Sequence, residues 1–404
     1  MNSSRTSDPS ILDHDLAKHF PELVKFKTTP ELEASELWRE IKPEVDRILT
    51  AVVGEQFSEN PKPKIQNPKS ARVLAWNIER GKVFDGILDA LKNHDDLRNK
   101  DVLLLTELDY GMARSGNRFV AQEIARELNL NYAFAPVYIA LQKGSGVESA
   151  SEGENTKSIH GLAMFSKWPM TNVHAVDLPN GKDKMLPPEQ RLGYLRALVA
   201  DIHHPAGTFR AVTVHLDVHC SRDHRRRQME IIVNHLDTLD PLPTLIGGDW
   251  NTTTFNAQTD KRAIMGYWRR VMMGVKNVAT NHFPHPDRYF ERDLFAELES
   301  RGYEYKKFNE EGVGTLHYHR DDLEKNTNLR DWVPEWCFKF IYWAAGRVGG
   351  GVSVRLDWFA GKGIDLAPGA KPITIGDLKD EAGTPLSDHD AIAMEFVLST
   401  EGAK

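Results

Sequence analysis

One stretch of this 404-residue chain constrains its fold most, a short apolar run that ends in two glycines and an Asp-Trp-Asn triplet. It covers residues 243–251, and the apolar residues between its proline and its glycines predict a buried strand that stops abruptly. Because residues two apart in extended backbone point to the same side, Asp249 and Asn251 are presented together, while Trp250 faces the other way. A carboxylate that can deprotonate water beside a neutral amide donor suits phosphate chemistry. The same triplet also occurs in plain turns, so partners elsewhere in the chain must decide between the two interpretations.

Other predicted strands also end in polar side chains. Asn77 closes an alternating segment that starts at residue 71, Glu107 closes an apolar segment that starts at 101, and His215 lies at the end of a segment that starts at 209. Glu107 has a plain alternative as a charge at a sheet edge. His215 and His219 are four residues apart, but that spacing forms a metal pair on a helix and the pattern here predicts a strand, so we reject a zinc site.

The C-terminal part of the chain supplies further candidates. Asp357 lies in a strand-like segment at 354–359, and Asp388 and His389 lead directly into a last apolar strand. A basic run also begins a predicted helix behind His215. A solvated charge run is the default interpretation of these arginines and a substrate-phosphate contact is the alternative; they are Arg222, Arg225, Arg226 and Arg227.

Composition excludes several classes of protein. The net charge of -7 argues against a protein that coats nucleic acid with a broad basic surface, although a local basic patch stays open. The only cysteines are Cys220 and Cys337, too few for a disulfide framework or a structural zinc site, which favours free thiols in a reducing compartment. The polar N-terminus has no signal-peptide core and no segment reaches transmembrane length, so we expect a cytoplasmic protein.

The chain divides into an extension and a main domain. Residues 1–70 predict helices, which begin at a cap formed by Thr29 and Pro30 and which Pro43 should kink or split, followed by a proline-containing linker at 60–69. We expect the apolar stripe of this extension to pack on the main domain, with a dimer contact as the alternative. The main domain is predicted at 71–400, with an aromatic- and arginine-rich insertion at about 255–350. Helices are predicted at about 118–129 and 289–300.

Taken together, these segments resemble the endonuclease/exonuclease/phosphatase superfamily over about residues 71–398. The residues that carry the resemblance occur in the family's order and spacing: Trp76-Asn77-Ile78, Leu104-Leu105-Thr106-Glu107, residues 160–167, Val214-His215-Leu216, Gly248-Asp249-Trp250-Asn251, Arg355-Leu356-Asp357-Trp358 and Ser387-Asp388-His389. Residues 107–118 also resemble bacterial members without an assigned substrate. The resemblance implies an α/β fold (α+β), a four-layer α/β/β/α sandwich of two packed mixed sheets with an N-terminal helical extension, and a site at one end of the sandwich.

The resemblance also implies roles for the candidate residues. Glu107, with Asn77 beside it and Asp388 nearby, would bind Mg2+ or Mn2+, since Mg2+ prefers oxygen ligands. Asp249 would activate the attacking water, Asn251 would hold the phosphate, and His215 would donate to a phosphoryl oxygen or to the leaving group. His389, oriented by Asp357, would stabilise charge in the transition state. Whether His389 or Asp249 is the general base, and whether one metal or two take part, stays open.

Two residues depart from the family pattern. Thr106 replaces the usual glutamine before the metal-binding glutamate, and Leu162 replaces the asparagine that commonly follows His160-Gly161. The second departure puts substrate contacts near His160 in doubt.

The sequence therefore predicts a metal-dependent phosphoester hydrolase. The favoured version is a phosphodiesterase that acts on a small or lipid-like substrate. A DNA or RNA nuclease is the alternative, with nucleic acid the less favoured partner, and a non-catalytic binding module is the alternative from another class. The insertion leaves the site after Asn251 and returns to it before Asp357, so we expect it to roof the site and to select the substrate. The oligomeric state is not predicted.

Overall fold

Two mixed β-sheets packed face to face form the centre of the computed structural model, which describes residues 6–56, 69–252, 256–319, 342–343, 346–349 and 351–399. The strands are β1 (Val53–Glu55), β2 (Ala71–Arg80), β3 (Val102–Tyr110), β4 (Asn131–Ala140), β5 (Ile159–Ser166), β6 (Met170–Asp177), β7 (Arg191–Gly193), β8 (Arg196–His204), β9 (Gly207–His215), β10 (Thr244–Asp249), β11 (Leu316–His319), β12 (Gly351–Val354), β13 (Asp357–Lys362), β14 (Ile364–Leu366), β15 (Ile373–Ile375) and β16 (Ala391–Leu398).

The helices lie outside the sheets. They are α1 (Phe20–Leu23), α2 (Thr29–Glu33), α3 (Glu36–Thr50), α4 (Phe84–Asn93), α5 (Val120–Leu128), α6 (Arg222–Leu236), α7 (Asp260–Met272), α8 (Val275–Asn277) and α9 (Arg292–Ser300). Short 3₁₀ turns occur at Pro9–Leu12, Leu16–His19, Ala113–Ser115, Gly146–Ala150 and Lys306–Phe308, and a π turn at Val278–His282. Within the described residues, no helix is both long enough and apolar enough to cross a bilayer.

The order of the strands places the ends of four of them at one edge. The first sheet runs β1-β4-β5-β3-β2-β16-β14, with β15 paired to β16 and β7 paired to β4, and the second runs β13-β10-β9-β8-β6. Strands β2 and β3 are parallel, as are β9 and β10. Because parallel strands end on the same side, each sheet delivers two carboxyl ends to one end of the sandwich.

The core is divided by the first sheet. Alternate residues of β2, such as Val73 and Ala75, face the second sheet, whereas Leu74 and Trp76 face helices α3, α4 and α5. The outer face of the second sheet is covered by α6 and α9. This helix-sheet-sheet-helix order confirms the predicted four-layer α/β/β/α sandwich.

The N-terminal extension differs in detail from the prediction. The residue that caps α2 is Thr28, not Thr29, and a second cap at Ser35 starts α3, whose backbone continues through Pro43 without splitting. The predicted apolar stripe, including Ile41, Val45 and Ile48, is buried in the core layer outside the first sheet. Strand β1 then pairs with β4 at the sheet edge, so the extension packs on the main domain. The division at residue 70 stays a prediction.

The other predicted boundaries agree with the structure to within about three residues. The helix predicted at 118–129 is α5, and the one predicted at 289–300 is α9, which begins at Arg292. Residues 60–68 of the predicted linker lie outside the described residues. Trp332, Trp336, Cys337 and residues 338–341 of the aromatic segment also lie outside them. The described part of the insertion contains α7, α8, α9 and β11.

Candidate active site

The strand ends meet in a cleft at one end of the sandwich. Strand pairing alone places three candidates side by side, because Asp249 is in register with His215 on one side and with Asp357 on the other. The cleft is lined by Arg80, Glu107, Val137, Tyr138, His160, Gly161, Leu162, Lys184, Arg191, Leu195, His215, Leu216, Asp217, Val218, His219, Asp249, Asn251, Leu316, Tyr318, Leu356, Asp388 and His389. The cleft thus combines ionisable groups from both sheets with residues of the insertion.

Asn77 lies between two carboxylates. Its amide Nδ2 donates to Glu107 Oε1 at 3.1 Å and to Asp249 Oδ2 at 3.2 Å, while its Oδ1 accepts from the backbone N–H of Glu79 at 3.0 Å. A single amide therefore holds the carboxylates of Glu107 and Asp249 at a fixed separation across the two sheets. Its predicted metal contact stays a prediction, since in this orientation its nitrogen, not its oxygen, faces Glu107.

Glu107 is held in the ionised form. Burial alone would raise the pKa of its carboxyl, but the charges of Arg80, His215 and His160 and the hydrogen bond from Asn77 hold this pKa well below its usual range. Arg80 Nε lies 3.9 Å from Glu107 Oε2. A buried, ionised carboxylate that opens into a cleft is a suitable ligand for a hard cation.

Several residues around the site have a left-handed backbone. Glu107 has a φ of 57°, Asn251 of 51°, Glu79 of 45° and Arg80 of 70°. The pairing of β2 with β3 is irregular there, passing from Asn77 opposite Thr106 to Arg80 opposite Leu108. Non-glycine residues adopt this conformation at a cost of order 1–3 kcal/mol, and bulges re-aim side chains at strand ends. The strained turns therefore direct Glu107 and Asn251 toward the cleft.

A second buried pair faces Asp249. His389 Nδ1 is 2.8 Å from Asp357 Oδ2, and His389 Nε2 lies 3.9 Å from Asp249 Oδ2. Burial alone would lower the pKa of His389, but the carboxylates of Asp357 and Asp249 raise it well above its usual value. His389 thus carries a positive charge at neutral pH, with Asp357 behind it and Asp249 in front.

The insertion holds this pair in place. Thr315 Oγ1 donates to Asp357 Oδ2 at 2.6 Å and accepts from the backbone N–H groups of Leu356 and Asp357, and the N–H of Asp390 donates to the carbonyl of Thr315 at 2.7 Å. The stretch that precedes β11 is thereby fixed to Asp357, the hydrogen-bond partner of His389, and to Asp390, the residue that follows His389.

Asp249 has the opposite electrostatic character to Glu107. Burial raises the pKa of its carboxyl, the charge of His389 partly offsets this, and the neighbouring Asp357 raises it again, to about 6. His215 Nε2 lies 3.5 Å from Asp249 Oδ2, and the backbone N–H of Asn251 donates to Asp249 Oδ1 at 2.9 Å. A carboxyl with a pKa near neutrality is suited to exchange a proton with water.

Asn251 and Asp388 occupy different environments in the cleft. The amide of Asn251 donates to the carbonyl of Leu216 at 2.9 Å and lies 3.3 Å from Asp249 Oδ2. Asp388 is half-buried and lines the cleft next to His389. The structure therefore brings all the predicted site residues together, and the role predicted for each stays a prediction.

One group of three residues resembles a metal site by composition. Asp249, Asp357 and His389 each offer one potential ligand atom, and these atoms lie within 4.8 Å of one another. However, Asp357 Oδ2 and His389 Nδ1 already share a hydrogen bond and His389 is protonated, which disfavours a cation between them. The all-oxygen chemistry of Glu107 and Asp388 fits Mg2+ or Mn2+ better.

The predicted arginine cluster does not reach the cleft. All four arginines are in the described part of the chain and none lines the site. Arg225 is fully buried and paired with Glu291, while Arg226 pairs with Glu230 at 3.1 Å. The charge run is therefore structural, and Arg225 joins α6 to the loop before α9.

An ionic network behind Glu107 was not predicted. Arg80 donates to Glu148 at 2.8 Å, and Arg114 contacts Glu148, Glu189 and Asp109 at 2.8–3.0 Å. Asp109 in turn lies 2.8 Å from His160 Nδ1. In the sequence, only the alternation of β3 points to Asp109, which lies two residues beyond Glu107. The two glutamates of the network, Glu148 and Glu189, come from distant loops and carry no such signal.

Tyr318 and Lys184 were also missed. Tyr318, on β11, lines the cleft, and burial and the nearby charges of Asp388 and Asp249 raise the pKa of its phenol, so it remains a neutral donor. Lys184 lies in the loop between β6 and β7 and also lines the cleft. Neither belongs to a motif, since each reaches the site through a loop or an insertion whose course the sequence does not reveal.

Comparison with known proteins adds a family match. A family model described as the Endonuclease/Exonuclease/phosphatase family matches residues 74–389. No curated protein sequence matches the chain.

Solved structures with a related shape include three examples. An endonuclease/exonuclease/phosphatase from Beutenbergia cavernae is 13% identical, with 82% of this chain and 72% of that one covered and a TM-score of 0.47. The human Nocturnin catalytic domain with bound sulfate anion is 14% identical, with 82% and 95% covered and a TM-score of 0.48. An endonuclease/exonuclease/phosphatase from Bacteroides vulgatus is 13% identical, with 82% and 100% covered and a TM-score of 0.45.

Proposed function

Since the chain belongs to the endonuclease/exonuclease/phosphatase family, we propose that it hydrolyses phosphodiesters of a small or lipid-like substrate in a reaction that depends on Mg2+ or Mn2+. The observation that carries the proposal is the surrounding of Asp249. Its carboxylate opens into the cleft, its pKa is near 6, and Asn77, His215 and His389 all lie within 4 Å of Oδ2. This arrangement suits a group that orients water and accepts its proton.

The chain's own residues supply most of the chemistry that we propose. Asp249 holds the attacking water and takes its proton, and Asn77 keeps that carboxylate in position. Positively charged His389, backed by Asp357, stabilises the negative charge that grows on the phosphoryl oxygens. His215 donates to a phosphoryl oxygen or to the leaving group, and Asn251 contacts the phosphate. Glu107, with Asn77 and Asp388, would hold the cation, which when bound polarises the phosphoester.

The preference for a small substrate is supported by charge. The molecule carries a net charge of -7, and three of the four arginines of the basic run, Arg225, Arg226 and Arg227, form ion pairs with neighbouring carboxylates. None of the four lines the cleft. A nuclease that binds several phosphates requires an extended basic surface. We also propose a cytoplasmic location from the scarcity of cysteine; Cys220 is a buried free thiol.

Metal dependence is the first test. Hydrolysis of bis(p-nitrophenyl) phosphate should require added Mg2+ or Mn2+ and should stop in excess chelator. Glu107→Gln should raise the metal concentration needed for half-maximal rate at least ~10-fold, because it removes an ionised ligand. Glu127→Gln, on the exposed end of α5, is the matched control. Full activity of the wild-type protein in chelator would contradict the proposal.

The same assay addresses the non-catalytic alternative. A binding module would show no metal-stimulated hydrolysis across nucleic acids, phospholipids and small phosphodiesters. The buried, mutually oriented set of Asp249, Asp357 and His389 argues against a module, since ionisable groups are costly to bury without a use.

A further inference from the structure

One arm of the cleft contains a buried cation that the proposed mechanism does not use. Lys184 is only 8% exposed at its side chain, yet it lines the cleft together with Tyr138 and His219. Its Nζ lies 3.2 Å from Asp217 Oδ2 and 5.5 Å from the centre of the Tyr138 ring. Buried lysines are rare unless paired or functional.

Asp217 accepts only one hydrogen bond from the ammonium group of Lys184. The Asp217 carboxylate also accepts backbone N–H groups from Gly181 at 2.7 Å and from His219 at 2.8 Å. An ammonium has three N–H donors, of which Asp217 takes one and the hydroxyl of Tyr138 can accept another, so a third donor is left. Lys184 therefore remains able to donate to a ligand in the cleft.

Further positive charge surrounds Lys184. The guanidinium of Arg191, on β7, lies 5.4 Å from the centre of the same Tyr138 ring, and its partner Glu189 is shared with Arg114. His219 remains neutral at pH 7, because burial and then the charges of Lys184, Lys182 and Arg191 outweigh Asp217 and lower its pKa to about 4. Three cations thus act on one neutral imidazole at the wall of the cleft.

The same cleft also has apolar lining. Leu162, Val137 and Leu195 line it together with Lys184 and the catalytic groups. Leu162 stands where the family commonly has an asparagine, so this position offers the substrate an apolar surface in place of an amide.

We propose that Lys184 and Arg191 form a subsite for a second anionic group, a phosphate or a carboxylate, on the substrate whose phosphodiester is cleaved at Asp249. This inference rests on the proposed function and narrows the substrate to a small phosphodiester with an apolar or ring-shaped part between two anions. Charge-assisted hydrogen bonds from a partly desolvated cation would give such a substrate a clear advantage.

The test compares matched esters. Ethyl p-nitrophenyl phosphate carries one negative charge, and its analogues in which the ethyl group ends in a carboxylate or a phosphate carry a second anion. We expect the KM of wild-type protein to be about tenfold lower for the analogues, since a hydrogen bond to a charged group contributes about this much. In Lys184→Met the ratio of the KM for the ethyl ester to the KM for either analogue should fall to about one. Lys92→Met, on the outer side of α4, should keep the wild-type ratio.

Two further measurements keep the result interpretable. Loss of the partner of Asp217 could prevent Lys184→Met from folding, and in that case Arg191→Gln replaces it, since the Arg191 side chain is more exposed. Arg191→Gln should lower the ratio of KM values only partly. Calorimetric titration of pyrophosphate into protein held in chelator reports the subsite without hydrolysis, and Lys184→Met should weaken this binding. No hydrolysis of any ester together with Lys184-dependent binding would overturn the proposed function alone. Hydrolysis with equal KM values for all esters would overturn the subsite alone.

The second anion could also be the next phosphate of a nucleic-acid strand. Binding of a short oligothymidylate distinguishes a nucleic-acid strand from a small substrate. Binding of a strand weakens steeply between about 50 mM and about 200 mM salt. A small substrate predicts little preference for the oligonucleotide. A strong, salt-sensitive and Lys184-dependent preference for it would overturn the small-molecule assignment.

Discussion

Asp249 and His389 have perturbed pKa values in the same direction for different reasons. Burial favours the neutral carboxyl of Asp249, whereas Asp357 and Asp249 favour the charged imidazolium of His389. Each residue is tuned by the other, so a change at either alters both.

Substitution of either residue should therefore affect turnover strongly. Asp249→Asn and His389→Ala should each reduce turnover at least ~10²-fold, because proton transfer and charge stabilisation are typically worth that much. Steady-state kinetics on a phosphodiester, with circular dichroism to confirm folding, measures this. A folded Asp249→Asn protein with near-normal turnover would show that water is activated elsewhere.

His219 should make stability sensitive to pH. Its folded pKa of about 4 lies below the usual value of about 6.5, so the unfolded chain binds more protons between these limits and stability is lost as pH falls from 6.5 to 4. The contribution is at most ~1.4 kcal/mol per pH unit. Urea unfolding at several pH values should show a smaller loss for His219→Gln than for wild type. An unchanged pH slope in the variant would contradict this assignment.

Sequence reasoning identified the groups that end strands and missed those that support them. Asn77, Glu107, His215 and Asp249 were predictable because alternation and flanking glycines locate the end of a strand. Nothing in a local pattern places Arg114 against three carboxylates, or gives Glu107 a left-handed backbone. Such features depend on contacts between distant segments.

At the scale of elements, the stretch before β11 connects the insertion to the catalytic pair. Thr315 donates to Asp357 and also accepts two backbone N–H groups, so one hydroxyl fixes the start of β13. Helices α3, α5, α6 and α9 followed from the sequence pattern, whereas the four layers were implied by the family resemblance. The link between insertion and site did not, because the sequence showed only that the insertion begins and ends near the site.

Removal of this hydroxyl should weaken catalysis. Thr315→Val keeps the shape but leaves Asp357 Oδ2 with one donor fewer, so the orientation of His389 should loosen and turnover should fall about 10-fold or more. Thr315→Ser, which retains the hydroxyl, is the control and should stay close to wild type. Equal turnover of the valine variant and wild type would show that Asp357 needs no support from the insertion.

At the scale of the whole molecule, charge decides between a small substrate and a nucleic acid. The net charge of -7 predicts a weak dependence of KM on salt, since few phosphates would be engaged. Kinetics across a salt series measures this. Nucleic-acid binding that falls steeply with salt, and that Arg269→Ala plus Arg270→Ala weaken further, would instead indicate a nuclease.

Of these two residues of α7, Arg269 gives the cleaner single variant. Arg270 packs over Phe283 and Phe290, so its replacement would also remove packing contacts. The predicted selection of substrate by the insertion stays a prediction.

The position of β16 has a consequence for synthesis of the protein. This strand, residues 391–398, pairs with β2, and His389 immediately precedes it. A ribosome must therefore translate as far as residue 398 before the middle of the first sheet can close. Any product that ends before residue 389 would lack His389 and would expose the edge of β2, and unpaired edges promote aggregation. Premature termination should thus yield material for proteolytic clearance rather than an enzyme of reduced activity.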